Sequence, residues 1–404
     1  MGNETTSFLF NSETGLNFMF DTFHRPARDQ KGPRVGIVST FPPTRCGIAR
    51  FSSALVSSLG EVAPELEIDL VRLIDGRPPT SALGQVGMEI DPNSSVSIRA
   101  AARHLDRCDV VILQHEYGIF GENDGEAVLE LVDSIKRPLI TVAHTVVASP
   151  SDRQRRIMER LHDTSRLVVL SESARSALVS SHSIPRSEVV VIPHGSQWSA
   201  TPPPGGPARR LITWGLLGPG KGLERSLEAM VELRDLDPSP QYTIVGRTHP
   251  VVARNEGVAY RRRIESMVRD LGIDDMVKFV NRYVADDELY EMVRKSHVVV
   301  IPYDNTDQVT SGVVTDAIAA GRPVVATRFP HAEELVGSGS GIVVDHDGAS
   351  LADGVRALVE TPEVYDRAAK SAAARGSDLS WTSGALRYAE FIRSLVPDKM
   401  TISN

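Results

Sequence analysis

Short apolar runs rich in β-branched residues alternate along this chain with amphipathic stretches. The first run is Val35-Gly36-Ile37-Val38-Ser39, and 66–71, Val110-Val111-Ile112-Leu113, 139–142, 167–170 and 189–192 follow it. Runs of this length and composition predict buried strands. The stretches between them carry helical spacing. Ile48, Phe51, Leu55 and Leu59 fall three, four and four positions apart and line one face of a helix. The rhythm breaks at Ser199-Ala200-Thr201-Pro202-Pro203-Pro204-Gly205-Gly206-Pro207, where no regular element can continue. It then restarts with Leu211-Ile212-Thr213-Trp214, 242–245, 277–280, 298–301, Val324-Val325-Ala326 and Ile342-Val343-Val344. The stretch from Trp381 to Val396 reads as a helix, with Leu386, Tyr388, Ala389, Phe391, Ile392 and Leu395 available to pack.

Strand, helix, strand at this spacing predicts parallel sheets with helices on both faces, the α/β class. The break divides the chain into a loose arm at 1–33, a first domain at 34–198, a linker at 199–208 and a second domain at 209–380. Two open domains of similar size set a cleft between them. A length of 404 residues suits two domains.

Composition narrows the function classes. No apolar run reaches the roughly 18–20 residues that a membrane-spanning helix needs. The net charge is −8 and is evenly spread, with 20 basic and 24 acidic residues up to position 200 and 24 and 28 after it. Neither half is basic, which argues against nucleic acid as a partner. The two cysteines, Cys46 and Cys108, are too few for a disulfide scaffold or a thiolate metal site, and they suit a reducing, cytoplasmic setting. The polar start, with Glu4 and Glu13, is not a secretory signal.

In open α/β sheets, ligands bind beyond the carboxyl ends of the strands. The segments that follow the strands are therefore the candidates. After the first strand, Thr44-Arg45-Cys46-Gly47-Ile48 enters a helix, either as a plain tight turn or as a backbone site for an anion. Val110–Leu113 runs into Gln114-His115-Glu116-Tyr117, and 139–142 into Ala143-His144-Thr145. His144 reads either as a structural histidine or as one that hydrogen-bonds a sugar hydroxyl or moves a proton. In the second domain, Gly215-Leu216-Leu217-Gly218-Pro219-Gly220-Lys221-Gly222 is a glycine-rich turn with one lysine. Amides, a helix start and an ammonium suit a phosphate or diphosphate; the alternative is a solvated surface lysine. Arg247 follows the next strand and is free to meet a phosphate or a base. Thr310, Ser311 and Gly312 offer hydroxyls and amides at a further helix start. Asp316, one turn inside that helix, suits ribose hydroxyls or the helix dipole, and Glu333 and Glu334 carry the same two readings. Asp304-Asn305-Thr306-Asp307 reads as a polar loop, and no cluster has metal-ligand spacing.

Taken in order, Gly47, Ala143-His144-Thr145, Ile192-Pro193-His194-Gly195, Lys221-Gly222, Val245-Gly246, Asp316-Ala317-Ile318-Ala319-Ala320-Gly321-Arg322-Pro323 and Glu334-Leu335-Val336 resemble the GT-B glycosyltransferases, and within them the retaining GT4 family. The resemblance spans 34–396. It implies two Rossmann-like doubly wound domains facing a central cleft, with the C-terminal helix at about 381–404 crossing back to complete the first. It implies a hexose moving from a nucleotide-diphospho-sugar, of GDP-mannose or UDP-glucose type, to a hydroxyl of a carbohydrate, lipid or small-molecule acceptor. No tightly bound cofactor and no metal would be required. The donor would lie against Gly215, Lys221, Arg247, Thr310, Ser311, Gly312 and Glu334, with Gly47 closing from the other domain. The acceptor would meet Arg45, His115 and Glu116, and the reacting centre His144, Gln308 and Asp316. The resemblance leaves open a homodimer and peripheral contact with the inner face of a membrane. Two positions depart from the family pattern: Gln308 and Asp316 stand where two glutamates eight apart are usual, and Leu216 stands where an arginine is common. A phosphorylase, a nucleotide-sugar epimerase or a non-catalytic sugar-nucleotide binder would use the same residues.

Overall fold

The computed structural model describes residues 32–44, 46–74, 86–206 and 209–396. Most of the arm, at 1–31, and Arg45 lie outside the described residues, as do 207–208 of the linker and 397–404. Thirteen strands form two all-parallel sheets among these residues. The first contains β1 (Arg34–Ser39), β2 (Glu67–Leu73), β3 (Val86–Ile90), β4 (Val110–His115), β5 (Leu139–Ala143), β6 (Arg166–Val169) and β7 (Val189–Val191), in the order β3-β2-β1-β4-β5-β6-β7. The second contains β8 (Arg210–Trp214), β9 (Gln241–Val245), β10 (Val277–Val280), β11 (Val298–Ile301), β12 (Val324–Thr327) and β13 (Gly341–Val344), in the order β10-β9-β8-β11-β12-β13. Both orders reverse beside the first strand of the sheet, which opens a crevice at the carboxyl ends.

Period-two alternation explains why the strands read as continuous apolar runs. In β4, Val110 and Ile112 pack on one face while Val111 and Leu113 pack on the other. In β11, Val298 and Val300 divide from Val299 and Ile301 in the same way. A sheet covered on both faces needs apolar residues at every position. β3 is the exception that the hydrophobic pattern did not announce. It is an edge strand, Val-Gly-Met-Glu-Ile, in which Ile90 alone is fully buried.

The helices that position the cleft are α1 (Gly47–Val62), α2 (Glu172–His182), α3 (Leu223–Glu232), α4 (Gly312–Ala319), α5 (Pro330–Leu335) and α6 (Trp381–Leu395). The chain passes between the sheets twice, and the two passages are joined. Ser196 N–H donates to the Leu379 carbonyl at 2.7 Å, and Trp381 N–H donates to the Ser196 carbonyl at 3.0 Å. Beyond them, α6 lays Trp381, Ala385, Tyr388 and Ile392 against Phe51, Leu55 and Leu59 of α1. The proline segment is docked as well: the buried Arg322 guanidinium donates to the carbonyls of Thr201 at 3.3 Å and Pro202 at 3.1 Å.

Candidate functional site

The second-domain side of the cleft is built from the segments that follow β8, β11 and β12. After β8 the glycine turn leads into α3. Gly222 has φ +62°, and a Cβ there would stand 1.6 Å from the Pro302 carbonyl oxygen, so only glycine lets the turn lie against β11. This seats the half-buried Lys221, whose ammonium sits 4.0 Å above the centre of the Tyr303 ring. Burial lowers the Lys221 pKa from its ordinary value. Tyr303 is buried, stacks on Phe329 and brings its hydroxyl to Ser311. One aromatic ring thus joins the ammonium to the start of α4.

Ser311 caps α4, its hydroxyl accepting from Val314 N–H at 3.4 Å. Its own N–H donates to His331 Nδ1 at 2.8 Å. This fixes the neutral ring of His331 with its proton on Nε2. The first-turn amides of Gly312 and Val313 have no acceptor within the helix, and they make the cleft end of α4 electropositive.

The first domain faces this with two histidines. His194 follows β7 and donates from Nδ1 to the Gly195 carbonyl at 2.8 Å. Its Nε2 therefore carries the lone pair, and it lies 3.5 Å from where a Cβ on Gly312 would stand. His144 follows β5 and donates from Nε2 to Gln114 Oε1 at 2.7 Å. Phe51 of α1 meets both rings edge-on, with centroids 4.6 Å from His144 and 5.2 Å from His194. Burial pushes His144 down to about 3 and His194 and His331 down to about 4, so all three are neutral at pH 7. Asp316 goes the other way. Burial raises it to about 6, against the opposing pull of a 2.7 Å hydrogen bond from Ser196.

Residues 200–375 match the family model "Glycosyl transferases group 1". The D-inositol 3-phosphate glycosyltransferase of Corynebacterium kroppenstedtii is 24% identical over 380 residues, which cover 86% of this chain and 80% of that one. Among solved structures, Anabaena HepE in complex with UDP superposes with a TM-score of 0.70 at 15% identity, covering 90% of this chain and all of that one. Sucrose-phosphate synthase from Thermosynechococcus elongatus superposes at 0.71 and 17%, covering 90% and 99%. Residues 200–375 are a group 1 glycosyltransferase domain, and the chain has the GT-B fold.

The cleft brings together Lys221, Thr310, Ser311, Gly312 and Asp316 from one domain and faces them with His144 and His194 from the other. Gly47 opens α1 in an exposed position, where a Cβ would meet nothing within 4 Å. Gly215 has equally open surroundings. Arg247 is half-buried behind the glycine turn, its carbonyl accepting from Leu217 N–H at 2.9 Å. Gln308 donates from Nε2 to the Thr310 carbonyl at 3.0 Å, so its amide group braces its own loop.

Two expectations need correction. His115, expected at the acceptor, is a core residue of the first domain. It is 0% exposed and packs against Tyr117 and Phe120. Adjacent strand residues point to opposite faces, so placing Gln114 on the His144 side sends His115 into the helical layer. Its neighbour Glu116 accepts from Gly118 N–H at 2.7 Å, which closes a local turn. Glu334, expected at the donor, has both carboxylate oxygens occupied by the first domain. It accepts from Glu172 N–H at 3.0 Å, Ser173 N–H at 2.8 Å and the Ser173 hydroxyl at 2.6 Å. Arg45 lies outside the described residues. The sequence reading gave no role to His194, Ser196, Tyr303 or His331. Each lies just beyond a strand, and that position was the available signal.

The arginines at 153–160 do not form a free basic face. Arg153 lies 3.9 Å from Asp124, Arg156 lies 3.9 Å from Glu126 and Arg160 lies 2.8 Å from Asp133. Among the described residues, no helix is long and apolar enough to cross a membrane.

Proposed function

We propose that this glycosyltransferase moves a hexosyl group from a uridine-diphospho-sugar to a hydroxyl of a small polar acceptor of polyol type, with retention of configuration. The observation that carries the reading is the junction at Tyr303: Lys221 lies over its ring face and the start of α4 lies at its hydroxyl. A diphosphate placed there meets one full positive charge and the amides of Gly312 and Val313. The uridine assignment draws support from HepE, which was crystallised with UDP and with UDP-glucose. The acceptor class draws support from the D-inositol 3-phosphate glycosyltransferase.

The chemistry follows from the charge balance. Negative charge develops on the leaving diphosphate as the anomeric bond breaks. Fixed dipoles and an ammonium oriented before the reaction stabilise that charge without reorganising. Gln308 cannot ionise, so it cannot act as a carboxylate nucleophile or base. The acceptor proton then passes to the departing phosphate oxygen on the same face of the sugar, which preserves the anomeric configuration. No step calls on a metal. Asp316 receives ribose hydroxyls, and neutral His144, whose Nε2 proton goes to Gln114, accepts from a sugar hydroxyl at Nδ1.

Calorimetry with UDP, GDP, ADP and their common sugar conjugates tests the reading. The expected result is saturable binding of UDP and one UDP-sugar, weakened tenfold or more by Lys221→Ala. Tighter binding of a guanosine or adenosine diphosphate would replace the uridine assignment. Loss of all nucleotide binding would overturn the donor site. Product anomeric configuration, read by proton NMR, decides retention.

A further inference from the structure

The start of α2 in the first domain is completed by the second domain. Ser171, the cap of α2, accepts from Ala174 N–H at 2.9 Å and donates across the cleft to the Val309 carbonyl at 2.5 Å. The next two amides, of Glu172 and Ser173, have no acceptor in their own helix and both go to the Glu334 carboxylate. The Ser173 hydroxyl lies between the two partners, 2.6 Å from Glu334 and 3.0 Å from the Pro330 carbonyl. An anion at the electropositive end of a helix is favourably placed. Here the anion is a side chain from the facing domain.

The anchor points make this contact functional. Val309 stands between Gln308 and Thr310, and Pro330 stands next to His331. The contact therefore grips both loops of the second domain that carry the residues assigned to the donor and the reacting centre. A second bridge, Arg50 of α1 to Asp286 at 3.0 Å, spans the domains elsewhere, but both of its side chains are substantially solvated and the contact is correspondingly weak.

We propose that Glu334 is a positioning residue that latches the two domains together across the cleft, setting the loops at 308–312 and 330–331 against His194 and His144 without touching the donor. The role deepens the transferase reading, because a latched cleft brings the acceptor side to the donor side. Its structural part stands independently of which nucleotide binds.

The test compares Glu334→Ala, Glu334→Gln and Ser173→Ala with the parent enzyme, all as the full chain. Ser173→Ala removes one hydroxyl from a half-buried site and is not expected to threaten folding. Hydrogen exchange at the Glu172 and Ser173 amides, measured without ligand, should accelerate tenfold or more in Glu334→Ala and less in Glu334→Gln, which keeps one accepting oxygen. Small-angle scattering should show a larger radius of gyration. With donor and acceptor, both Glu334→Ala and Ser173→Ala should lower kcat by about five- to twentyfold, with less than their product when combined. The dissociation constant for UDP should stay within twofold. Weakened UDP binding in Glu334→Ala, with a silent Ser173→Ala, would overturn the proposal and make Glu334 a donor contact. Unchanged exchange and scattering in every variant would overturn it as well, whatever nucleotide the enzyme proves to use.

Discussion

The Ser196 hydroxyl donates to Asp316 Oδ1 at 2.7 Å, and this bond ties the crossing point of the chain to the helix that faces the cleft. Ser196 also pairs with Leu379 and Trp381 through its backbone. The carboxylate assigned to ribose is thus bonded to the point where the chain crosses between the domains. Ionised Asp316 is held in a poorly solvated place, which raises its pKa from 3.8 to about 6. A raised acid binds its proton more tightly in the folded state, so its ionisation costs stability as pH rises through 6. Asp316→Asn should therefore stabilise the unliganded protein at pH 7.5 by on the order of 2–3 kcal/mol. The gain should shrink as pH falls and vanish below about pH 4. Urea denaturation at pH 7.5, 6 and 4.5 checks this. The same variant should lose nucleotide affinity.

His115 offers the opposite sign. Burial holds it down at about 4, and among the described residues neither ring nitrogen has a hydrogen-bond partner. Its unfolded counterpart takes a proton near pH 6.5, so stability present above that pH is lost as pH falls toward 4. His115→Phe keeps an aromatic ring beside Tyr117 and Phe120 and removes the orphan nitrogens. It should raise stability by about 1–2 kcal/mol at pH 5, with a smaller gain at pH 8. Turnover should remain within twofold of the parent, as befits a core residue.

Gly47 and Gly222 are expected to separate function from folding. A Cβ at Gly47 meets open space, whereas one at Gly222 would overlap the Pro302 carbonyl. Gly47→Ala should keep the melting temperature within about 2 °C of the parent, a shift corresponding to well under 1 kcal/mol. It should still reduce donor turnover at least tenfold if the start of α1 closes on the sugar. Gly222→Ala should unfold about 2–4 kcal/mol more easily, since it adds a left-handed backbone to the clash. Differential scanning calorimetry and initial rates measured on the same samples test both.

Cys46 caps α1, accepting from Ala49 N–H at 3.3 Å with Thr40 Oγ1 3.2 Å from its sulfur. It is half-buried next to Gly47, while Cys108 is 1% exposed. One thiol should therefore react with N-ethylmaleimide in the native protein and both after denaturation. Alkylation should block turnover, and bound nucleotide should slow it. Mass spectrometry of the modified peptide identifies the site.

Much of this was legible in the residue order. A sheet covered on both faces demands apolar residues at consecutive positions, so β1, β4, β5 and β11 declare themselves as unbroken runs. β3 did not, because an edge strand with a glycine and a glutamate needs no such run. Lys221 was legible as a candidate because a glycine-rich turn between strand and helix sets one cation beside free amides. Glu334 and His115 were misplaced for a different reason. Each stands in the right segment, but the role of a side chain depends on which way it points and what meets it there.

The sequence by itself determined the two parallel sheets, the break between them and the turns at the strand ends, since periodicity and backbone chemistry are local properties. Only the tertiary structure decided the rest. Ser196 is 120 residues from Asp316 and Ser173 is 161 from Glu334. Hydrogen bonds across such separations depend on how two independently patterned domains are docked, and no local pattern encodes that docking. Tertiary packing also sets His144 and His194 against Phe51 and gives His331 the Ser311 amide, and these surroundings fix them as neutral rings.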